Sequence, residues 1–264
     1  MKHFIITRFF SESFGKSKQE MLDMLDNNTL LDGFSLLQNH FIKTLNNQTC
    51  KNFEIIILIY NMIPLEKVDF LKNISSDVKV TVLHSKELDD YIYKYYVDND
   101  IIITTRLDYD DFIHKDCVRD LQERAANTKC FKVYGLNNGC SMDDSEICYL
   151  HHPKYVDLGN GFFSCFESLV TNTQTYKMPI NIYKLGVHSN ICKTMHEKYA
   201  DFGLASVDDL EIECDSDTRT KYIWYRHDKS VSYVTRNKFL HLSNIVVNDV
   251  AFEDFGYDAK NKLL

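Results

Sequence analysis

Three carboxylates stand within four residues at Asp108-Tyr109-Asp110-Asp111. Acids this close repel one another unless a cation or solvent separates them. Their all-oxygen donor set suits a hard divalent ion, Mg2+ or Mn2+. Such an ion bridges a nucleotide diphosphate and stabilises it as a leaving group. Asp108, Asp110 and Asp111 are therefore candidate metal ligands. The alternative is structural: Asp110 or Asp111 capping the helix that follows. A second candidate is Glu167, set among aromatics in Phe163-Ser-Cys-Phe-Glu-Ser-Leu169. Desolvation there would raise its pKa and suit it to take a proton from an attacking hydroxyl, and a structural ion pair is the competing reading.

The acids follow Ile101-Ile-Ile-Thr-Thr105, a β-branched run that reads as a buried strand. Similar runs at Phe4–Thr7, Phe53–Tyr60 and Val78–Leu83 read as three more strands. Helical spacing marks Leu30, Phe34, Leu37, Phe41 and Leu45, then Leu88, Tyr91, Ile92 and Tyr95, then Val118, Leu121 and Ala125. Strand–helix alternation predicts an α/β fold with a mostly parallel sheet, whose ligands bind beyond the carboxyl ends of the strands. In the second half, Phe131–Tyr134, Glu146–Leu150, Tyr222–Arg226 and Val231–Thr235 read as strands, Asn190–Tyr199 reads as a helix, and Phe162–Val170 fits either. Gly135–Gly139 reads as a turn. The acidic patches Asp89-Asp90, Asp143-Asp144 and Glu211–Asp217 read as solvated faces.

The chain has 264 residues, 30 basic and 38 acidic, for a net charge of −8. An acidic chain repels phosphate backbones, which argues against nucleic acid as a partner. With 44% hydrophobic residues it is not a disordered sequence. No stretch approaches the roughly 18 apolar residues of a membrane span, which leaves peripheral membrane contact open. Eight cysteines without a Cys-x-x-Cys pair read as buried thiols in a reducing cytoplasm.

An Asp-x-Asp after the fourth strand is similar to the GT-A glycosyltransferases, which use sugar nucleotides. Further stretches resemble one subgroup, the "putative rhamnosyltransferase" family of bacteria and some viruses. They are His3-Phe-Ile-Ile-Thr-Arg-Phe9, the passage from Phe41 to Phe53, Thr104-Thr-Arg-Leu-Asp-Tyr-Asp-Asp111, and Phe163 to Leu169 with Thr175-Tyr176 and His188-Ser189. Trp224-Tyr-Arg-His-Asp228 completes the set. The resemblance implies one GT-A domain over 1–264, with a nucleotide-binding half at 1–126 and an acceptor-side half at 127–264. It implies a nucleotide-sugar donor, with rhamnose or another deoxyhexose as the sugar, and a glycan or glycoconjugate acceptor, with inversion favoured.

The resemblance also implies roles. Thr7 and Arg8 would hold the nucleotide, Arg8 through phosphate, and Phe9 would wall the base pocket. Arg106 would contact diphosphate or neutralise the aspartates. Asp110 would bind metal directly, Asp108 would reach ribose or a metal-bound water, and Asp111 would support them. His227 would be a further metal ligand, and His188 would bind phosphate or acceptor. Asp208 and Asp209 occupy a position similar to the base of inverting GT-A enzymes, alongside Glu167. The second strand ends in Tyr60-Asn61 where many GT-A enzymes carry an Asp, so the nucleobase stays open. A noncatalytic sugar-nucleotide or glycan-binding module and a sugar nucleotidyltransferase are the alternatives; the lack of a glycine-rich loop after the first strand counts against the second.

Overall fold

In the computed structural model the described residues are 1–9, 19, 29–136, 138–143, 148–151, 166–176, 180–185, 197, 199–202, 204, 206, 210–215, 220–226, 242–246 and 250–257. The first half supplies β1 (Lys2–Arg8), β2 (Glu54–Ile59), β3 (Val80–His84), β4 (Ile101–Leu107) and the short β5 (Phe112–Ile113). The second half supplies β6 (Phe131–Leu136), β7 (Gly139–Asp143), β8 (Cys148–His151), β9 (Phe166–Asn172), β10 (Leu210–Asp215), β11 (Tyr222–Arg226) and β12 (Leu242–Val246). Thr29–Leu36, Leu37–Ile42 and Lys43–Asn46 follow one another as α1, whose middle segment is π-helical. Leu88–Tyr93 is α2 and Cys117–Ala125 is α3.

Seven strands form the main sheet in the order β10-β6-β9-β4-β1-β2-β3. All run parallel except β9, which lies antiparallel between β4 and β6. This is the mostly parallel, helix-flanked α/β sheet expected of a GT-A enzyme. The Glu-Ile-Ile-Ile-Leu-Ile run of β2 is buried throughout because both sheet faces are covered. Ile55, Ile57 and Ile59 pack with α1 and α3 on one face, while Ile56 and Leu58 pack with α2 on the other. Each such side chain contributes roughly 1.5–3 kcal/mol of burial.

A second sheet has the order β12-β8-β7-β11-β5. Its β5 comes directly after the acidic run, so Asp108–Asp111 is the crossover from one sheet to the other. A strand, not a helix, follows the acids, and Asp116 precedes α3. Neither Asp110 nor Asp111 therefore serves as the helix cap considered above.

Three other expectations change. Gly139 opens β7, paired with Tyr222 of β11, and the absence of a side chain there makes room for the Tyr222 ring. Leu210–Asp215 is an edge strand, still partly solvated, whose acids are paired: Arg124 and Lys132 neutralise Glu213, and Lys132 also pairs with Glu211. Asp89 is a docking point, accepting from Asn181 Nδ2 at 2.6 Å and pairing with Lys184 at 2.7 Å. The ambiguous Phe162–Val170 resolves as β9 from Phe166 onward. The strand expected at Val231–Thr235 and nearly all of the helix expected at Asn190–Tyr199 lie outside the described residues. Cys50, Cys117, Cys130 and Cys140 carry thiols. No helix among the described residues is long and apolar enough to cross a membrane.

Candidate active site

Strand alternation puts Arg8, Arg106 and Glu167 on one face of the main sheet. Ile6 of β1 is in register with Arg106 of β4, and Arg106 lies directly opposite Glu167 of β9. Arg8 is two residues beyond Ile6 and Asp108 two beyond Arg106, so both continue toward the carboxyl end. Arg106 and Glu167 are 2% and 0% exposed as side chains and form a fully desolvated pair. Arg106 Nε donates to Glu167 Oε2 at 3.0 Å and one terminal nitrogen donates to the same oxygen at 2.5 Å. Burial works to lower the Arg106 pKa. Glu167, Tyr183 and Asp108 outweigh it, so the net direction is upward and the guanidinium stays charged.

Tyr183 completes this group. The guanidinium carbons of Arg8 and Arg106 lie 5.3 and 5.6 Å from its ring centroid, within cation–π range. Its hydroxyl donates to Ile6 O at 3.2 Å. Burial raises the Tyr183 pKa above its usual range, opposed by the two arginines and aided by Asp108 and Glu167, so the hydroxyl remains a donor. No motif marked Tyr183 in the sequence; it comes from a turn, Ile182–Leu185, that follows a segment of no clear pattern.

Asp108 and Asp110 are partly exposed, whereas Asp111 is fully buried. The turn closes through Asp111 N donating to Asp108 O at 3.2 Å. Between the acids Tyr109 points into the core, edge-on to Phe9 at 5.6 Å between centroids, and its hydroxyl pKa is raised by burial and by Asp110 and Asp108. Two partly exposed carboxylates at a strand end fit a Mg2+ or Mn2+ ion, which typically takes one or two protein carboxylates plus substrate phosphates and waters. Among the described residues no group of three His, Cys, Asp or Glu is arranged as a complete cage.

The expected site residues thus separate. Arg8, Arg106, Asp108 and Glu167 come together, with Asp110 in the adjoining turn. Phe9 departs from expectation: it is 0% exposed, packed against Phe70 and Tyr109, and so belongs to the core under the site instead of walling a base pocket. Thr7 is fully buried, and its Oγ1 has no hydrogen-bond partner among the described residues. His188, Asp208, Asp209 and His227 lie outside the described residues.

Among solved structures, the chain is similar to S. aureus TarS at 13% identity, over 85% of this chain and 37% of that one, with a TM-score of 0.42. A protein described as a "putative nucleotide-diphospho-sugar transferase" from Desulfovibrio desulfuricans G20 matches at 11% identity, over 85% and 82%, with a TM-score of 0.41. The glycosyltransferase GlyE of Streptococcus pneumoniae TIGR4 matches at 13%, over 80% and 45%, with a TM-score of 0.37. The chain thus spans 37% of the length of TarS and 45% of that of GlyE. No curated protein sequence matches it. A sequence profile of one family covers residues 7–198, from the end of β1 past Tyr183. The chain belongs to that family, described as "Putative rhamnosyl transferase".

Proposed function

We propose that this protein transfers a sugar, rhamnose or another deoxyhexose, from a nucleotide-sugar donor to a glycan or glycoconjugate acceptor with inversion. The observation that carries the reading is the convergence of Arg8, Arg106, Tyr183 and Asp108 at the carboxyl ends of β1 and β4. A partly exposed guanidinium, backed by a buried one and set beside an acidic turn, suits a diphosphate together with a divalent ion.

Asp108 and Asp110 would hold Mg2+ or Mn2+, with Asp111 supporting the turn from beneath. When bound, the ion supplies Lewis-acid stabilisation of the departing nucleoside diphosphate. Arg8, which is partly exposed, would offer charge-assisted hydrogen bonds to the phosphates, and the buried guanidinium of Arg106 would add its positive charge from behind as negative charge grows on the departing diphosphate. Glu167 holds Arg106 in place, and that pairing favours a positioning role over proton transfer. The base that takes the acceptor proton is then Asp208 or Asp209, and His227 and His188 are further contacts to metal and phosphate.

The test is hydrolysis or transfer of nucleotide sugars with Mn2+, comparing wild type with Asp110→Ala. Loss of an ion worth several kcal/mol of transition-state stabilisation corresponds to at least roughly a 100-fold fall in rate. Chelation of the wild type should produce the same fall. Equal rates in wild type and variant would reject the metal assignment.

A further inference from the structure

The turn carrying Tyr183 is fixed from both sides. Ile180 N donates to Tyr96 Oη at 3.2 Å, and Ile182 N donates to Thr104 Oγ1 at 2.9 Å. Asn181 and Lys184, flanking the tyrosine by two residues and one, both bind Asp89 of α2. Ile182 and Leu185 bury their side chains with Phe131, Leu169 and Tyr176. The Tyr183 ring therefore has little freedom, and its hydroxyl is bonded to the backbone of β1 two residues before Arg8.

The two arginines differ in what restrains them. Arg106 is held by Glu167. Arg8 has no carboxylate within ion-pair distance among the described residues, and the Tyr183 face is the contact against which it rests. A long side chain that must be ordered on binding costs affinity, and ordering it beforehand removes part of that cost. An aromatic face does this for a guanidinium without consuming its donors, because the ring meets the cation's plane and leaves the N–H groups to a ligand.

Resting on the nucleotide-sugar reading above, we propose that Tyr183 is a positioning residue for the donor diphosphate, its ring pre-ordering Arg8 so that this guanidinium meets the phosphates with the buried charge of Arg106 behind it. The hydroxyl's bond to Ile6 O aims the ring, but the ring itself does the positioning.

The experiment is calorimetric titration of UDP, dTDP, GDP and CDP, each with Mn2+, into the full chain. The tightest binder is carried forward. Tyr183→Leu and Tyr183→Met both remove the ring with different packing, so one folded variant suffices, with folding checked by melting temperature. Each should raise Kd by roughly 5- to 30-fold, the span of a partly desolvated cation–π contact. Tyr183→Phe keeps the ring and should restore affinity to within about twofold. In an Arg8→Gln background, removing the ring should cost no more than about twofold, because the only guanidinium still against the ring among the described residues is Arg106, which Glu167 already holds. Affinity within twofold of wild type in the ring-less variants would overturn the proposal, as would an equal loss with Arg8 already removed. If wild type binds none of the four diphosphates, the nucleotide-sugar reading fails and the proposal falls with it.

Discussion

Replacing Glu167 with Gln separates two roles for one buried carboxylate. Both members of the Arg106–Glu167 pair are essentially without solvent, and two guanidinium nitrogens donate to a single oxygen at 3.0 and 2.5 Å. Removing one charge from such a pair strands the other in a low-dielectric interior, at a cost of about 3–5 kcal/mol. For a chain of this size, about 2 °C of melting temperature accompanies each kcal/mol, so Glu167→Gln should melt roughly 6–10 °C lower. Replacing both members with apolar residues of similar volume, Arg106→Met with Glu167→Leu, should recover most of that stability because no unpaired charge remains. Urea unfolding of the two variants and wild type measures this. Donor hydrolysis, read on the same samples at a temperature where all are folded, supplies the second axis. A general base lost from a transferase costs about 100- to 10,000-fold in rate. Unfolding of Glu167→Gln within about 0.5 kcal/mol of wild type, together with a turnover that falls by that factor, would instead make Glu167 the base.

Two further outcomes follow from other buried polar groups. Glu54 is fully buried, yet Lys2 and Lys79 stand 2.9 Å away and Tyr91 and Thr81 donate to it at 2.5 and 2.7 Å. Burial raises its pKa, but these partners overcome that and hold it at about 2 against an ordinary 4.5. A depressed carboxylate pKa gives stability that is present above about pH 4.5 and lost as pH falls toward 2. Glu54→Gln should thus destabilise by roughly 2–3 kcal/mol at neutral pH, discounted for the partial exposure of the lysines. The gap should close between about pH 4.5 and 2 in pH-dependent urea unfolding; a gap independent of pH would contradict it. Thr7→Val removes a buried hydroxyl with no partner among the described residues, and should stabilise the ligand-free protein by about 1 kcal/mol. If Thr7 serves the nucleotide, the same variant should bind nucleoside diphosphate about tenfold more weakly. Stabilisation without that loss would assign Thr7 to the sheet alone.

The four strands that frame the site were legible because each is a continuous β-branched run covered on both faces, a pattern that needs no long-range information. The acidic turn was legible for the same reason, since its strand points it toward the ligand end. What the sequence did not disclose depends on pairing across distance. Glu167 meets Arg106 only because β9 runs antiparallel beside β4, and no local spacing encodes that neighbour. Glu211 and Glu213 stay partly solvated, but their pairing with Lys132 and Arg124, from β6 and α3, at the sheet edge has no local signature. Phe9 sits beside Arg8 in sequence but on the opposite face of β1, so strand alternation sends one residue to the site and its neighbour to the core. Tyr183 carries no motif because its partners are cations from two other strands.

That same alternation explains how the site keeps its register. On the face opposite Arg106 and Glu167, a polar chain crosses three strands. His3 Nε2 lies 2.8 Å from Thr105 Oγ1, and Thr105 Oγ1 lies 2.7 Å from Ser168 Oγ. Gln122 Nε2 donates to His3 Nδ1 at 3.1 Å and to Asn52 O at 2.9 Å, which leaves His3 Nε2 to carry the proton and donate to Thr105. The imidazole is kept neutral in this role: burial, then the charge of Lys2, lowers its pKa to about 3. Because side chains alternate with period two, a one-residue slip of β9 against β4 would carry Glu167 to the face of Ile103, Leu107 and Val170. It would also separate Ser168 from Thr105, leaving hydroxyls buried without partners at a cost of about 1–3 kcal/mol each. The His3–Thr105–Ser168 chain touches no candidate phosphate or metal group, yet it penalises every register except the one that sets Glu167 opposite Arg106. Tyr183 and Arg8 are then placed by β1, whose own register against β4 is tied down by the same histidine.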